Sequence, residues 1–106
     1  MAVYMHKFII KIIFMQEISK DKAKQLIKAF GQVVEQHRKA QGKTAYKISA
    51  EIALSKTTWR EVELGANDLK FTTMWKIAEG LDIPLEKLIS EVNKKLGEEF
   101  SLSGIK

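Results

Sequence analysis

The chain has 106 residues, of which 45% are hydrophobic and 29% are charged, a size and composition typical of one globular domain. It contains no cysteine and two histidines. This excludes a disulfide framework, a thiolate nucleophile and a thiolate zinc site, and we expect no metal, cofactor or catalytic residue. Eighteen basic residues against thirteen acidic ones give a net charge of +5. Such an excess is typical of domains that neutralise phosphates, the alternative being a merely soluble surface.

The first eighteen residues include an apolar run at 8–15 that is interrupted only by Lys11. The run is far shorter than the ~20 residues of a membrane span, and no small-residue cleavage pattern follows it. Its β-branched and aromatic composition predicts a β-strand. One face of that strand would carry Phe8, Ile10, Ile12 and Phe14.

A lone strand is unstable, so residues 1–18 are predicted to be a strand extension that pairs with its copy in a homodimer or with another protein. Two alternatives remain open at this point. The segment is an N-terminal extension of the first helix, or it precedes a true start at Met5 or Met15.

Residues 19–96 show helical periodicity and predict five short helices. Ser19, Thr44 and Ser55 are candidate N-caps, Gly65 is a candidate left-handed stop, and Pro84 favours the start of the fifth helix. Residues 97–106 are predicted to form a tail, from which Phe100, Leu102 and Ile105 can dock onto the body. The predicted bodies of the helices run from Ser19 to Gly42, from Thr44 to Leu54, from Ser55 to Gly65, around Met74 to Leu81, and from Pro84 past Val92.

Two short helices between Thr44 and Gly65 are joined by a tight turn, and the second begins with polar, non-acidic side chains. This arrangement is typical of a helix-turn-helix. From Phe30 to about Ile89 the chain resembles the Cro/cI-type (XRE) helix-turn-helix family. The matching residues are Phe30-Gly31, Arg38, Ser55, Glu63-Leu-Gly65, Met74-Trp-Lys-Ile-Ala78, Leu81-Asp-Ile83 and Leu85-Glu-Lys-Leu-Ile89.

The resemblance implies an all-α, five-helix lambda-repressor-like DNA-binding domain over residues 19–96, with the N-terminal strand added. The third helix would enter the major groove of double-stranded DNA. Side chains that can donate to guanine, touch a thymine methyl or accept from cytosine are the candidate base contacts. They are Lys56, Thr57, Arg60 and Glu61; for the two cations, the alternative is intrahelical ion pairing.

Backbone phosphates would be met by Lys43, Thr44, Asn67 and Lys70, which flank the two helices. In the family, the arginine that matches Arg38 pairs with the glutamate that matches Glu63, so these two residues are assigned a structural role.

Several residues depart from the family pattern: Ala45, Ser49, Ala53 and Trp59 inside the motif, and Leu69 in the loop after it. Ala53 stands where the pattern has glycine, and it costs about 1 kcal/mol if the turn keeps a left-handed residue. Trp59 replaces a smaller buried aliphatic residue, and we predict that it is buried; otherwise the recognition helix is tilted.

Trp75 lies beside the apolar stripe of the fourth helix. In this family the fourth and fifth helices commonly face a second subunit, so we assign Trp75 to the dimer interface; simple core packing is the alternative. The resemblance therefore implies a cytoplasmic, dimeric transcriptional regulator, most often a repressor, that binds a palindromic operator. The alternative is an antitoxin of the same fold that binds a toxin and represses its own operon. No residue constellation favours an enzyme.

Overall fold

The computed structural model describes residues 2–104, and the side chains of residues 5–104. Within this range the chain forms five α-helices and no strand. They are α1 Ala2–Ala40, α2 Ala45–Glu51, α3 Lys56–Leu64, α4 Phe71–Leu81 and α5 Leu85–Leu96. No helix in the described range has the combination of length and apolar character needed to cross a membrane.

The predicted N-terminal strand is wrong, because α1 continues without a break through the whole segment. No glycine or proline precedes Gly31, and extending an existing helix is far easier than nucleating a new one. Isoleucine in a helix costs only a few tenths of a kcal/mol. Ser19 therefore lies inside the helix, and the boundary predicted at 18/19 does not separate two elements.

The helix also changes which apolar residues share a face. On the predicted strand, Phe8, Ile10, Ile12 and Phe14 would all point the same way. On α1, Phe8 and Ile12 share one side, whereas Ile10 and Phe14 lie on the other, because helical neighbours are three or four residues apart. We call residues 5–18 the arm; it extends α1 beyond the body, and the molecule measures 61 Å along its longest axis.

The body is built on the second half of α1, which packs against α3 and α5. Its core contains the fully buried Val34, Ile48, Trp59, Ile77 and Leu88. Gly31 makes the packing of α1 on α3 possible, since a Cβ there would lie 2.3 Å from the backbone oxygen of Val62. The third helix is thereby held directly against α1.

The helices of the body begin and end where the local sequence signals predicted. The side chains of Thr44 and Ser55 cap α2 and α3 by accepting from the backbone N–H of Lys47 and Thr58. Gly65 ends α3 at a φ of 67°. Pro84 directly precedes α5.

The C-terminal tail docks on α1 just after the arm. The ammonium of Lys22 lies 5.4 Å from the centre of the Phe100 ring, and the Ser19 hydroxyl donates to the carbonyl of Leu102 at 3.4 Å. Phe100 is half-buried. Ile105, also predicted to dock, lies outside the described residues.

Candidate nucleic-acid interface

The helices α2 and α3 and the four residues between them form a helix-turn-helix. The turn contains Ala53 at a φ of 54°, in the left-handed region. A residue with a Cβ is strained there by about 1–2 kcal/mol. The turn thus keeps the left-handed geometry that the family pattern implies at this position, although the residue is alanine and not glycine.

The outer face of α3 carries the candidate base-reading side chains. Lys56, Thr57 and Arg60 are exposed, and Glu61 is half-buried. Among the described residues, neither Lys56 nor Arg60 forms an ion pair. The intrahelical pairs considered as an alternative are therefore not formed in this structure, and both cations are free to meet a ligand.

The C-terminal end of α3 is fixed to the body by a shielded network centred on Glu63. The guanidinium of Arg38 donates twice to this carboxylate, from Nε to Oε2 at 2.6 Å and from Nη2 to Oε1 at 2.9 Å. Arg38 also donates to the carbonyl of Lys43 at 2.9 Å. Only 14% of the Arg38 side chain and 7% of the Glu63 side chain are exposed, so the pair is shielded from water.

The hydrogen bond to Glu63 raises the pKa of Arg38 above its ordinary value, against the opposing effect of burial. A group with a raised pKa loses its contribution to stability only as the pH rises through that raised value. Arg38 therefore stays charged throughout the neutral range, and α1, α3 and the loop before α2 remain tied together.

Trp59 completes the network in a way that the sequence pattern did not reveal. Its side chain is fully buried, and its indole Nε1 donates to Oε2 of Glu63 at 2.5 Å. The larger ring therefore fits inside the body and satisfies its polar atom on the same carboxylate. The spacing of four residues between Trp59 and Glu63 on a helix is the only sequence signal that could have indicated this bond.

Three of the four predicted phosphate-contacting residues are partly engaged, since the Thr44 hydroxyl caps α2 and the side chains of Asn67 and Lys43 contact carboxylates. The Asn67 amide donates to Oε2 of Glu61 at 3.3 Å, which links the loop after α3 to the candidate base-reading face. Lys43 lies 3.5 Å from a carboxylate oxygen of Glu51. Lys70 is exposed at the start of α4 and has no ion pair among the described residues.

Trp75 lies on α4, beside Pro84, Leu85 and Ile89 of α5 and the turn before it. Its ring and that of Phe71 are 6.0 Å apart and tilted by 54°, and both are more than half exposed. The alternative of core packing is therefore not what the structure contains. On another part of α1, His37 donates from Nε2 to a carboxylate oxygen of Glu91 at 2.6 Å and joins α1 to α5.

The described residues contain no cluster of histidine, aspartate and glutamate that could hold a metal ion. No protein-family model and no curated protein sequence matches this chain. Among solved structures, the crystal structure of the clp gene regulator ClgR from C. glutamicum is similar, with a TM-score of 0.65 and 16% sequence identity. The match covers 70% of this chain and 96% of that one.

This chain shares the fold of ClgR. At 16% identity the similarity establishes the architecture of the helical body. It says nothing about which residues act, so the roles of the side chains on α3 rest on their own geometry.

Proposed function

We propose that this protein is a sequence-specific, DNA-binding transcriptional regulator of the Cro/cI (XRE) type that reads the major groove through α3. The observation that carries the proposal is the pair of exposed cations, Lys56 and Arg60, on the outer face of a helix whose inner face is locked to the body. A rigid helix with free donors at its exposed end fits the geometry of base-edge recognition. The fold shared with a gene regulator supports the same function.

Lys56 and Arg60 would donate to guanine, and Thr57 would touch a thymine methyl. Glu61, whose carboxylate accepts a hydrogen bond from Asn67, would accept from cytosine. Lys43, Thr44, Asn67 and Lys70 would set the register on the phosphates. We further propose that the protein acts in the cytoplasm as a dimeric repressor of a palindromic operator, since two copies would present two such helices.

The test is selection of binding sites from a random duplex pool at about 0.15 M salt. The Lys56→Ala/Arg60→Ala variant is compared with Lys94→Ala/Lys95→Ala, which removes the same charge from the exposed end of α5. We expect the wild type and the α5 control to recover the same palindrome and the α3 variant to lose it. Identical consensus sequences from all three proteins would refute base reading by these two residues.

A second candidate function is that of an antitoxin-type module of the same fold, which binds a toxin and represses its own operon. The observation in its favour is the exposed apolar surface of the arm, which suits a protein partner. Under this function the random pool yields only weak, salt-sensitive binding with no consensus, and the arm is covered by a different chain.

A further inference from the structure

The helix α4, the start of α5 and the turn between them expose an aromatic pair on the body. Phe71 and Trp75 are 64% and 54% exposed, and the centres of their rings are 6.0 Å apart. The other tryptophan of the chain, Trp59, is fully buried. Tryptophan is among the residue types most enriched at the centres of protein interfaces. The exposed pair therefore marks a surface that can anchor another chain.

Two cavities adjoin Trp75. The larger, of about 630 Å³, extends along α5 and includes Ile89, and the smaller, of about 270 Å³, reaches Asp82 at the end of α4. Both are lined by Trp75, Pro84 and Leu85, so they form one continuous depression. We call this depression the groove. Its volume accommodates several aliphatic or aromatic side chains from one face of a helix.

The charged residues that line the groove are all acidic. They are Glu79, Asp82 and Glu86, and the lining residues include no lysine, arginine or histidine. All three are exposed, and none of them forms an ion pair within the described part of the chain. Lys76 and Lys87, the nearest lysines in sequence, do not line the groove. In a chain with a net charge of +5, the groove is therefore a region of unpaired negative charge.

These charges determine which occupant the groove favours. Two copies joined groove to groove would bring three carboxylates from each copy together, and like charges that face each other oppose association. A helix that carries lysine or arginine beside its apolar side chains supplies the missing opposite charges. Its apolar face would then cover Trp75 and Ile89, as amphipathic helices do in apolar grooves.

We propose that the groove binds a cationic amphipathic helix of another protein. Apolar side chains of that helix lie between Trp75 and Ile89, and its basic side chains pair with Glu79, Asp82 and Glu86. Trp75 is thereby assigned to a contact with a different protein instead of the dimer interface. No residue of α2 lines the groove, and none of α3 does, so this inference does not depend on DNA binding.

The test uses a synthetic amphipathic helix as the probe. The peptide consists of leucine and lysine over about eighteen residues, or five turns of helix, and contains no tryptophan. The control peptide keeps the leucines and has glutamate in place of every lysine. Because Trp59 is fully buried, a change in tryptophan emission during the titration reports Trp75. We expect the lysine peptide to shift this emission to shorter wavelength and the glutamate peptide to leave it unchanged.

The charge of the groove is tested with the variant Glu79→Gln/Asp82→Gly. Glycine replaces Asp82 because this residue has a φ of 55°, which glycine adopts without strain. The matched control is Glu98→Gln/Glu99→Gln, which removes two exposed carboxylates from the C-terminal tail. We expect the groove variant to weaken binding of the lysine peptide about 10-fold or more, and the control to leave it unchanged. Circular dichroism verifies the fold of each variant.

The apolar contact is tested with Ile89→Ser, at a side chain that is 37% exposed. This substitution should weaken binding of the lysine peptide about 10-fold, because it removes apolar surface from the groove. The control is Leu64→Ser, at a side chain on α3 that is 74% exposed, and it should leave peptide binding unchanged.

Three results would overturn the proposal. Equal binding of the lysine and glutamate peptides means that charge does not select the occupant. Unchanged Trp75 emission with the lysine peptide means that the groove does not bind a helix of this kind. A wild type that sediments as a dimer without peptide, and that Ile89→Ser makes monomeric, means that a second copy occupies the groove. Base reading by α3 is tested separately, since Glu79→Gln/Asp82→Gly should select the same DNA consensus as the wild type.

Discussion

Ala53 is the residue at which the helix-turn-helix carries backbone strain. Its φ of 54° lies in the left-handed region, and its side chain is exposed. We expect Ala53→Gly to raise the free energy of unfolding by about 1 kcal/mol, because glycine adopts this conformation without a Cβ clash. Urea unfolding measures the change. Ala50→Gly, at an exposed position inside α2, is the matched control and should lower stability by about 1 kcal/mol; equal effects at both sites would contradict the strain.

The Arg38–Glu63 pair is the residue-scale feature that fixes the orientation of α3. Removing one partner leaves a shielded charge without its counterion, so Glu63→Gln and Arg38→Met should each lower the free energy of unfolding by about 3–5 kcal/mol. The double variant should lose less than the two single losses combined, since neither charge is then left alone. Urea unfolding of the wild type, the two single variants and the double variant completes this double-mutant cycle. Strictly additive losses of stability would mean that Arg38 and Glu63 are not coupled.

At the scale of elements, the contact between α1 and α3 depends on the missing side chain of Gly31. We expect Gly31→Ala to lower the free energy of unfolding by about 1–3 kcal/mol, because the new Cβ overlaps backbone oxygens of α3. It should also weaken DNA binding by shifting α3 on the body. Stability is measured by urea unfolding and binding by titration of the selected duplex.

The control for this substitution is Gly42→Ala, which has open space around its Cβ and strain only in its backbone, at a φ of 68°. It should lower stability by about 1 kcal/mol and leave DNA binding unchanged. If Gly31→Ala binds the duplex as tightly as Gly42→Ala, the position of α3 does not depend on this close approach.

The helices of the body could be predicted because local sequence signals mark where they begin and end. Thr44 and Ser55 cap the helices that follow them, and Gly65 ends α3, each through bonds within a few residues. The arm could not be predicted in this way. Its isoleucines favour a strand, and that preference was outweighed by the continuity of a helix that Ser19 does not interrupt.

The side-chain partnerships of the site were the hardest to predict, since they depend on tertiary packing. The bond from His37 to Glu91 joins residues 54 positions apart on two helices. The bond from Asn67 to Glu61 crosses the end of α3. Neither pair has a spacing that distinguishes it from many other polar pairs in the chain. The sequence also left the exposure of Trp75 undecided, because a position beside the apolar stripe of α4 is compatible with both core packing and a surface.

At the scale of the whole molecule, the spacing of the operator reports how two copies are arranged. In a dimer held by its arms alone, the two-fold axis passes near the middle of the arm, about twenty residues from Gly31, where α3 contacts α1. The two contact points then lie about 60 Å apart along α1.

We expect the proposed palindromic operator to have half-sites centred 10–10.5 base pairs apart, because a dimer that reads two successive major grooves on one face of the duplex spans one turn of B-DNA, about 34–36 Å. Pairing through the arms alone would instead require half-sites well beyond one turn. Selection from the random pool reads this distance directly from the palindrome. Inserting five base pairs between the half-sites should then abolish cooperative binding, because it rotates one half-site to the opposite face of the duplex. A spacing well beyond one turn would contradict the one-turn dimer even if α3 reads the bases as proposed.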